Sequence, residues 1–152
     1  MPRIKKGRGP FGTTELPKEL EEYYDILEDR ADRLFARFRR EERNILEVCR
    51  TIAGIEGDGL TCFWEGGDNP KRIMQAFREI GCESIARNLE ESKWITKVLK
   101  RGVTVPDGQY KFTEEEMQKY TAIEHAVMDE LQEAADKAHA YILEKGLGTG
   151  QR

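Results

Sequence analysis

Catalysis or metal binding needs cysteine, histidine, serine or carboxylate side chains that converge, and in this chain those types are either scarce or too numerous to single out a site. The cysteines are Cys49, Cys62 and Cys82, an odd number at spacings that match no zinc or redox pattern. Each has apolar sequence neighbours, which predicts small buried thiols. His125 and His139 are the only histidines. On one helix they stand roughly 20 Å apart, too far to share an ion. The 29 acidic residues offer countless carboxylate pairs and distinguish none for acid and base roles. Ser84 and Ser92 lie within helical pattern rather than in a nucleophile elbow, and no cysteine has a histidine partner that spacing proposes. No catalytic residue, cofactor or metal site is therefore expected.

Charge arranged along helices is the other chemistry available. Arg30, Arg33, Arg37 and Arg40 follow three- and four-residue spacing and predict one basic stripe on a helix. Glu28, Asp29, Asp32, Glu41 and Glu42 flank it, so a solvated face laced with ion pairs is the simpler reading. Near the C-terminus Asp129, Glu130, Glu133 and Asp136, with Glu114 and Glu115 at the same helix's start, form an acidic face balanced by Lys119 and Lys137 alone. Asp58, Glu65 and Asp68 add acids in a glycine-rich segment. These nine acids are the candidate partner-binding residues.

The elements that must position them read as helices. From Pro17 to Gly54 apolar residues recur at helical spacing, including Leu20, Tyr24, Leu27, Leu34, Phe35, Phe38, Ile45, Cys49 and Ile52. The stretch is one long helix or two joined near Arg39 to Glu42, where the stripe lapses. Residues 54 to 70 carry five glycines and read as turn chemistry, with Leu60, Phe63 and Trp64 spaced as a single inward helical turn. Pro70 opens a helix that Gly81 closes, and another runs from about Glu83 to Leu99. The segment 101–112 reads as a connector with room for a short hairpin. Thr113 with Glu116 forms a capping box for a last helix exceeding 30 residues.

Length and composition bound the whole. With 152 residues, 36% of them charged and 38% hydrophobic, the chain suits one all-α domain: a bundle of about five or six helices with a long C-terminal helix. Residues 1–14, basic and glycine-rich, read as a disordered tail, residues 15–146 as the helical domain and 147–152 as a disordered end. No apolar run approaches a membrane span and no h-region follows the basic start, so a cytoplasmic protein with no membrane partner is expected. The formal net charge is −4. Setting aside Arg3, Lys5, Lys6 and Arg8 leaves about −8 for the body, which argues against nucleic acid as a partner.

Residues 44–95 resemble a bacterial family of helical domains of unknown function that includes a protein described as a DNA mimic. The likeness lies in Ala76, Phe77, Ile80, Gly81, Cys82, Ala86 and Leu89 and, more loosely, in Gly57, Asp58, Gly59 and Leu60 with the aromatic pair Phe63 and Trp64. Cys62 stands where the family has glutamine. The resemblance implies an all-α fold, self-association as a homodimer, and action by binding a protein such as a DNA-binding regulator rather than by chemistry.

The leading expectation is thus a non-enzymatic interaction module acting through the acidic helix face and the loop around Asp58 to Asp68. The alternatives are nucleic-acid binding through the arginine stripe and basic tail, and an enzyme with an unfamiliar carboxylate or thiol site.

Overall fold

The computed structural model describes residues 14–33, 37–66 and 69–147. The expectations for residues 1–13 and 148–152, and for Leu34, Phe35 and Asp68, lie outside these. The described chain is all-α, with α1 (Lys18–Ala31), α2 (Arg40–Asp58), α3 (Thr61–Glu65), α4 (Pro70–Glu79), α5 (Glu83–Glu91), α6 (Ile95–Leu99) and α7 (Glu114–Glu144). Five of these have nine residues or more, and α3 and α6 are single turns. No helix among the described residues is long and apolar enough to cross a membrane.

The stretch after Pro17 resolves into two helices, and the break falls earlier than the lapse in the apolar stripe. It lies between Ala31 and Arg40. Arg30 reaches across this gap, donating to Glu42 Oε2 at 2.8 Å and to the Arg37 carbonyl at 2.7 Å, while its guanidinium lies 4.7 Å from the Phe38 ring centroid. Glu42 in turn accepts from the Arg39 amide at 2.9 Å, which caps the first turn of α2. Side-chain bonds between the helices, absent from any local pattern, hold the turn.

Gly54 does not end a helix, because α2 continues through Gly54 and Gly57 to Asp58. Gly54 packs closely on α3: a Cβ there would lie 3.2 Å from Cys62 Sγ, so that sulfur would have to give by a few tenths of an ångström. The reversal is confined to Gly59, whose φ of 86° suits glycine. Leu60 and Phe63 then point inward from α3 as the spacing predicts. Asn69 caps α4 through its side chain, accepting from the Lys71 and Arg72 amides. The helix expected to run from Glu83 to Leu99 is divided by a 3₁₀ turn, Ser92–Trp94, where buried Ser92 donates to the Leu89 carbonyl at 2.6 Å and accepts from the Trp64 indole at 2.8 Å.

One core joins these elements. Leu20, Leu27, Ile45, Ile52, Phe77 and Leu131 are fully buried in it, and α2 packs on α4 and α7. α7 buries Val127, Leu131, Ala134, Ala138 and Ile142, whose alanines let the neighbouring helices approach closely. Two boundaries move outward by a residue: Thr14, assigned to the basic tail, is buried and donates to Glu56 at 2.9 Å, and Leu147, assigned to the C-terminal tail, is buried in the core. Cys49 and Cys82 are buried as expected, whereas Cys62 is partly exposed.

Candidate functional site

Two helices far apart in sequence, α1 and α7, lie side by side. The Glu15 amide donates to Gln132 Oε1 at 3.0 Å, and Gln132 Nε2 donates back to the Glu15 carbonyl at 3.0 Å. Glu19 meets His139 at 2.7 Å. These contacts set α1 along the C-terminal half of α7. Glu22, Ile26 and Asp29 follow Glu19 at three, seven and ten residues and share its face. On α7, Asp129, Gln132, Asp136, His139 and Leu143 keep the same spacing and line the facing edge. The result is an acidic seam between two helices. Ile26 on the α1 face and Leu143 on the α7 face are each 51% exposed.

Several seam acids are already partly satisfied. Asp29 accepts from Arg33 at 3.2 Å, and Asp136 accepts from Gln132 at 3.3 Å. Glu22 and Asp129 are exposed and meet no cation among the described residues. Their field is open to a partner.

The other predicted acids are distributed differently. Glu130 and Glu133 sit one residue beyond seam positions, about 100° further round the helix, and face α5 instead. Glu130 accepts from Asn88 at 2.9 Å and Glu133 pairs with Lys137 at 3.7 Å. Both line a recess of about 300 Å³ with Gly81, Cys82, Glu83 and Arg87. Burial pushes the Cys82 thiol up to about 11, so it is a poor nucleophile there. Glu114 and Glu115 are exposed at the first turn of α7, where the helix dipole favours acids, roughly 20 Å along the axis from Asp129. Asp58 is exposed at the end of α2, and Glu65 accepts a hydrogen bond from the Tyr110 hydroxyl. The single acidic face expected on the last helix is therefore three separate groups, of which Asp129 and Asp136 join α1.

The arginine stripe is also broken up. Arg30 and Arg33 lie on or just past the end of α1, Arg37 lies between the helices, and Arg40 opens α2. Arg30 is bound to Glu42, Arg33 to Asp29, and Arg40 to Glu79 through Nε at 2.8 Å. That last contact, with hydrogen bonds from Asn44 and Gln75, holds the Glu79 carboxyl well below the usual carboxylate range against a smaller opposing effect of burial. Arg30 and Arg40 tie elements together while Arg33 pairs within its own turn, so the stripe does not present one cationic face.

Sequence reasoning missed the α1 acids as site residues and missed three buried carboxylates. Glu42, Glu56 and Glu124 are each buried. Glu124 accepts from the Leu60 amide at 2.9 Å and from the Tyr120 hydroxyl at 2.5 Å, and the Thr61 amide donates to that hydroxyl at 3.2 Å. Burial and Glu124 push the Tyr120 hydroxyl far up its scale, so it stays protonated. These bonds fasten α3 to α7. Among the described residues no group of three or more histidine, cysteine or acidic side chains is arranged to hold a metal ion. No protein-family model, curated protein or solved structure matches this chain.

Proposed function

We propose that this protein is a non-enzymatic binding module whose acidic seam between α1 and α7 takes a cationic, partly apolar segment of another protein. The observation that carries the reading is the seam itself: Glu22 shares the α1 face of exposed Ile26, and Asp129 and Asp136 share the α7 face of exposed Leu143. Apolar residues give such a surface affinity, and the surrounding carboxylates select for positive charge and speed encounter. The basic face of a DNA-binding regulator has this chemistry, because aligned carboxylates can stand in for phosphates and release counterions on contact.

The test is titration of a lysine-rich amphipathic peptide into the full chain at about 50 mM salt, followed by NMR shifts of seam amides. Reversing Glu22, Asp129 and Asp136 to lysine should weaken binding by about 10-fold or more. Reversing Glu114 and Glu115, which lie away from the seam, should change it little. Equal loss from both sets would reduce the effect to net charge and reject the seam as a site.

A further inference from the structure

The three thiols of the chain are not equivalent. Cys49 is fully buried in the core, and burial pushes the Cys82 thiol up to about 11. Cys62, on α3, is partly exposed and lines a cavity of about 70 Å³ between α2, α3 and α4. Its Sγ packs close on Gly54 of α2, where a Cβ would lie 3.2 Å away. Buried Ile55, Phe63 and Ile73 form the apolar side of the cavity. Glu47 and Arg50 line it from the solvent side and are held elsewhere, Glu47 by Arg43 at 3.0 Å and Arg50 by Glu28 at 2.9 Å.

Thr51 of α2 lines the same cavity and is only 8% exposed. Its hydroxyl has no hydrogen-bond partner among the described residues. A helical threonine ordinarily donates back to a carbonyl of the preceding turn, as Thr96 does to Lys93 at 2.8 Å. A buried hydroxyl left without a partner is rare, and one that borders a cavity points to a ligand that completes it. The cavity therefore joins a nucleophilic sulfur and an uncommitted hydroxyl in a space roughly that of two water molecules in the liquid. A molecule of two linked oxygens has that size and can meet both groups at once.

We propose that this cavity is a reaction site for a small peroxide, with Cys62 as the thiol oxidised and Thr51 as the group that holds the oxidant. The Cys62 thiolate attacks the nearer oxygen of hydrogen peroxide. An S–O bond forms, the O–O bond breaks, and the far oxygen takes the two electrons that sulfur gives up. Thr51 donates a hydrogen bond to that leaving oxygen, which gains the proton the thiol lost and departs as water. The product is a sulfenic acid at Cys62, the reversible first stage of thiol oxidation. The site shares no residue with the α1–α7 seam and does not depend on the reading of it.

The experiment treats the reduced full chain with hydrogen peroxide and follows each cysteine by peptide mass spectrometry. Cys62 should gain one oxygen that dithiothreitol removes, before Cys49 or Cys82 reacts; oxidised methionine is distinguished because it needs dedicated reductases. Thr51→Val replaces an unbonded hydroxyl by a methyl of the same shape, so the fold is kept. It should slow oxidation of Cys62 by about 3- to 10-fold, the worth of one hydrogen bond, and Thr51→Ser should restore the rate. Iodoacetamide needs the thiolate and not the hydroxyl, so it should alkylate Cys62 equally fast in all three proteins.

The inference fails if Cys62 is not oxidised, or if Cys49 or Cys82 is oxidised as fast. It also fails if Thr51→Val reacts with peroxide at the wild-type rate, which would make Cys62 an exposed thiol and nothing more. Slowing of iodoacetamide in parallel with peroxide overturns it too, because the hydroxyl would then act on the thiol rather than on the oxidant.

Discussion

Replacing Glu124 by alanine tests whether buried carboxylates hold this fold together. Its Oε2 accepts from the Leu60 amide at 2.9 Å and from the Tyr120 hydroxyl at 2.5 Å, and Leu60 is fully buried. Alanine leaves the Leu60 N–H with no acceptor where water cannot reach, at a cost of about 1–3 kcal/mol. The Tyr120 hydroxyl loses its acceptor but still receives the Thr61 amide at 3.2 Å, so its share is about 1 kcal/mol. The sum is about 3 kcal/mol, equivalent to a fall in Tm of about 6–12 °C for a domain of this size. Glutamine keeps an acceptor oxygen in the same place and should lose only about 1 kcal/mol, the difference between charged and neutral acceptors. Chemical denaturation of both variants supplies the free energies, and hydrogen exchange locates the damage: amides 60–65 should lose protection before the α2 and α7 cores do. Glu124→Ala within about 0.5 kcal/mol of wild type, or protection lost uniformly, would refute the view that this carboxylate fastens α3 to α7.

Other outcomes follow from the same geometry. Arg40 holds Glu79 well below its ordinary value of 4.5, and Arg101 with the Thr113 amide draws Glu116 down to about 2. Carboxyls depressed on folding stabilise fully above their unfolded value and progressively less as pH falls toward the folded one, so stability should decline below about pH 4.5. Glu79→Gln should be less stable than wild type at neutral pH by a gap that narrows on acidification; a gap constant from pH 7 to 3 in urea denaturation would rule out the linkage. Thr113→Ala removes the acceptor for the Glu116 amide at 3.1 Å and should cost about 1 kcal/mol, with faster exchange in the first turn of α7. Gly81→Ala meets only the Lys137 side chain at 3.7 Å, yet a φ of 99° should cost at least about 1 kcal/mol in thermal denaturation; a neutral result would mean the α4–α5 turn relaxes.

Features set by neighbours in the chain were legible before any coordinates. The Thr113 and Glu116 box closes as its spacing implies, with the Thr113 amide 2.9 Å from Glu116 Oε1. Pro70 sits in the first turn behind the Asn69 cap, and Leu60 and Phe63 share an inward turn. Features set by distant residues were not. Apolar spacing alone could not separate one helix from two, and the Arg30–Glu42 contact that spans the gap between Ala31 and Arg40 lies outside any local pattern. Gly54 looked like punctuation, whereas it lies inside α2 with Cys62 packed close against it. Glu124 did leave a signal: it stands in register with Tyr120, Val127 and Leu131 on the buried stripe, and an acid there predicts a buried hydrogen-bond partner.

The seam belongs to the second kind, and its origin explains why a search for an acidic helix face on α7 alone was incomplete. Glu19 and Glu22 in isolation read as the wet side of an amphipathic helix, the bland fate of most helical acids. They gain meaning through pairings 117 and 120 residues apart in sequence, Glu15 with Gln132 and Glu19 with His139. The same pairings split the α7 acids, since Glu15 and Glu19 meet the edge bearing Gln132 and His139 while Asn88 of α5 meets Glu130. Net charge is equally uninformative, because a body near −8 does not say where on the fold the exposed acids stand. If the seam acts in binding, salt should weaken peptide capture, while reversing Glu130 and Glu133 should leave it unchanged.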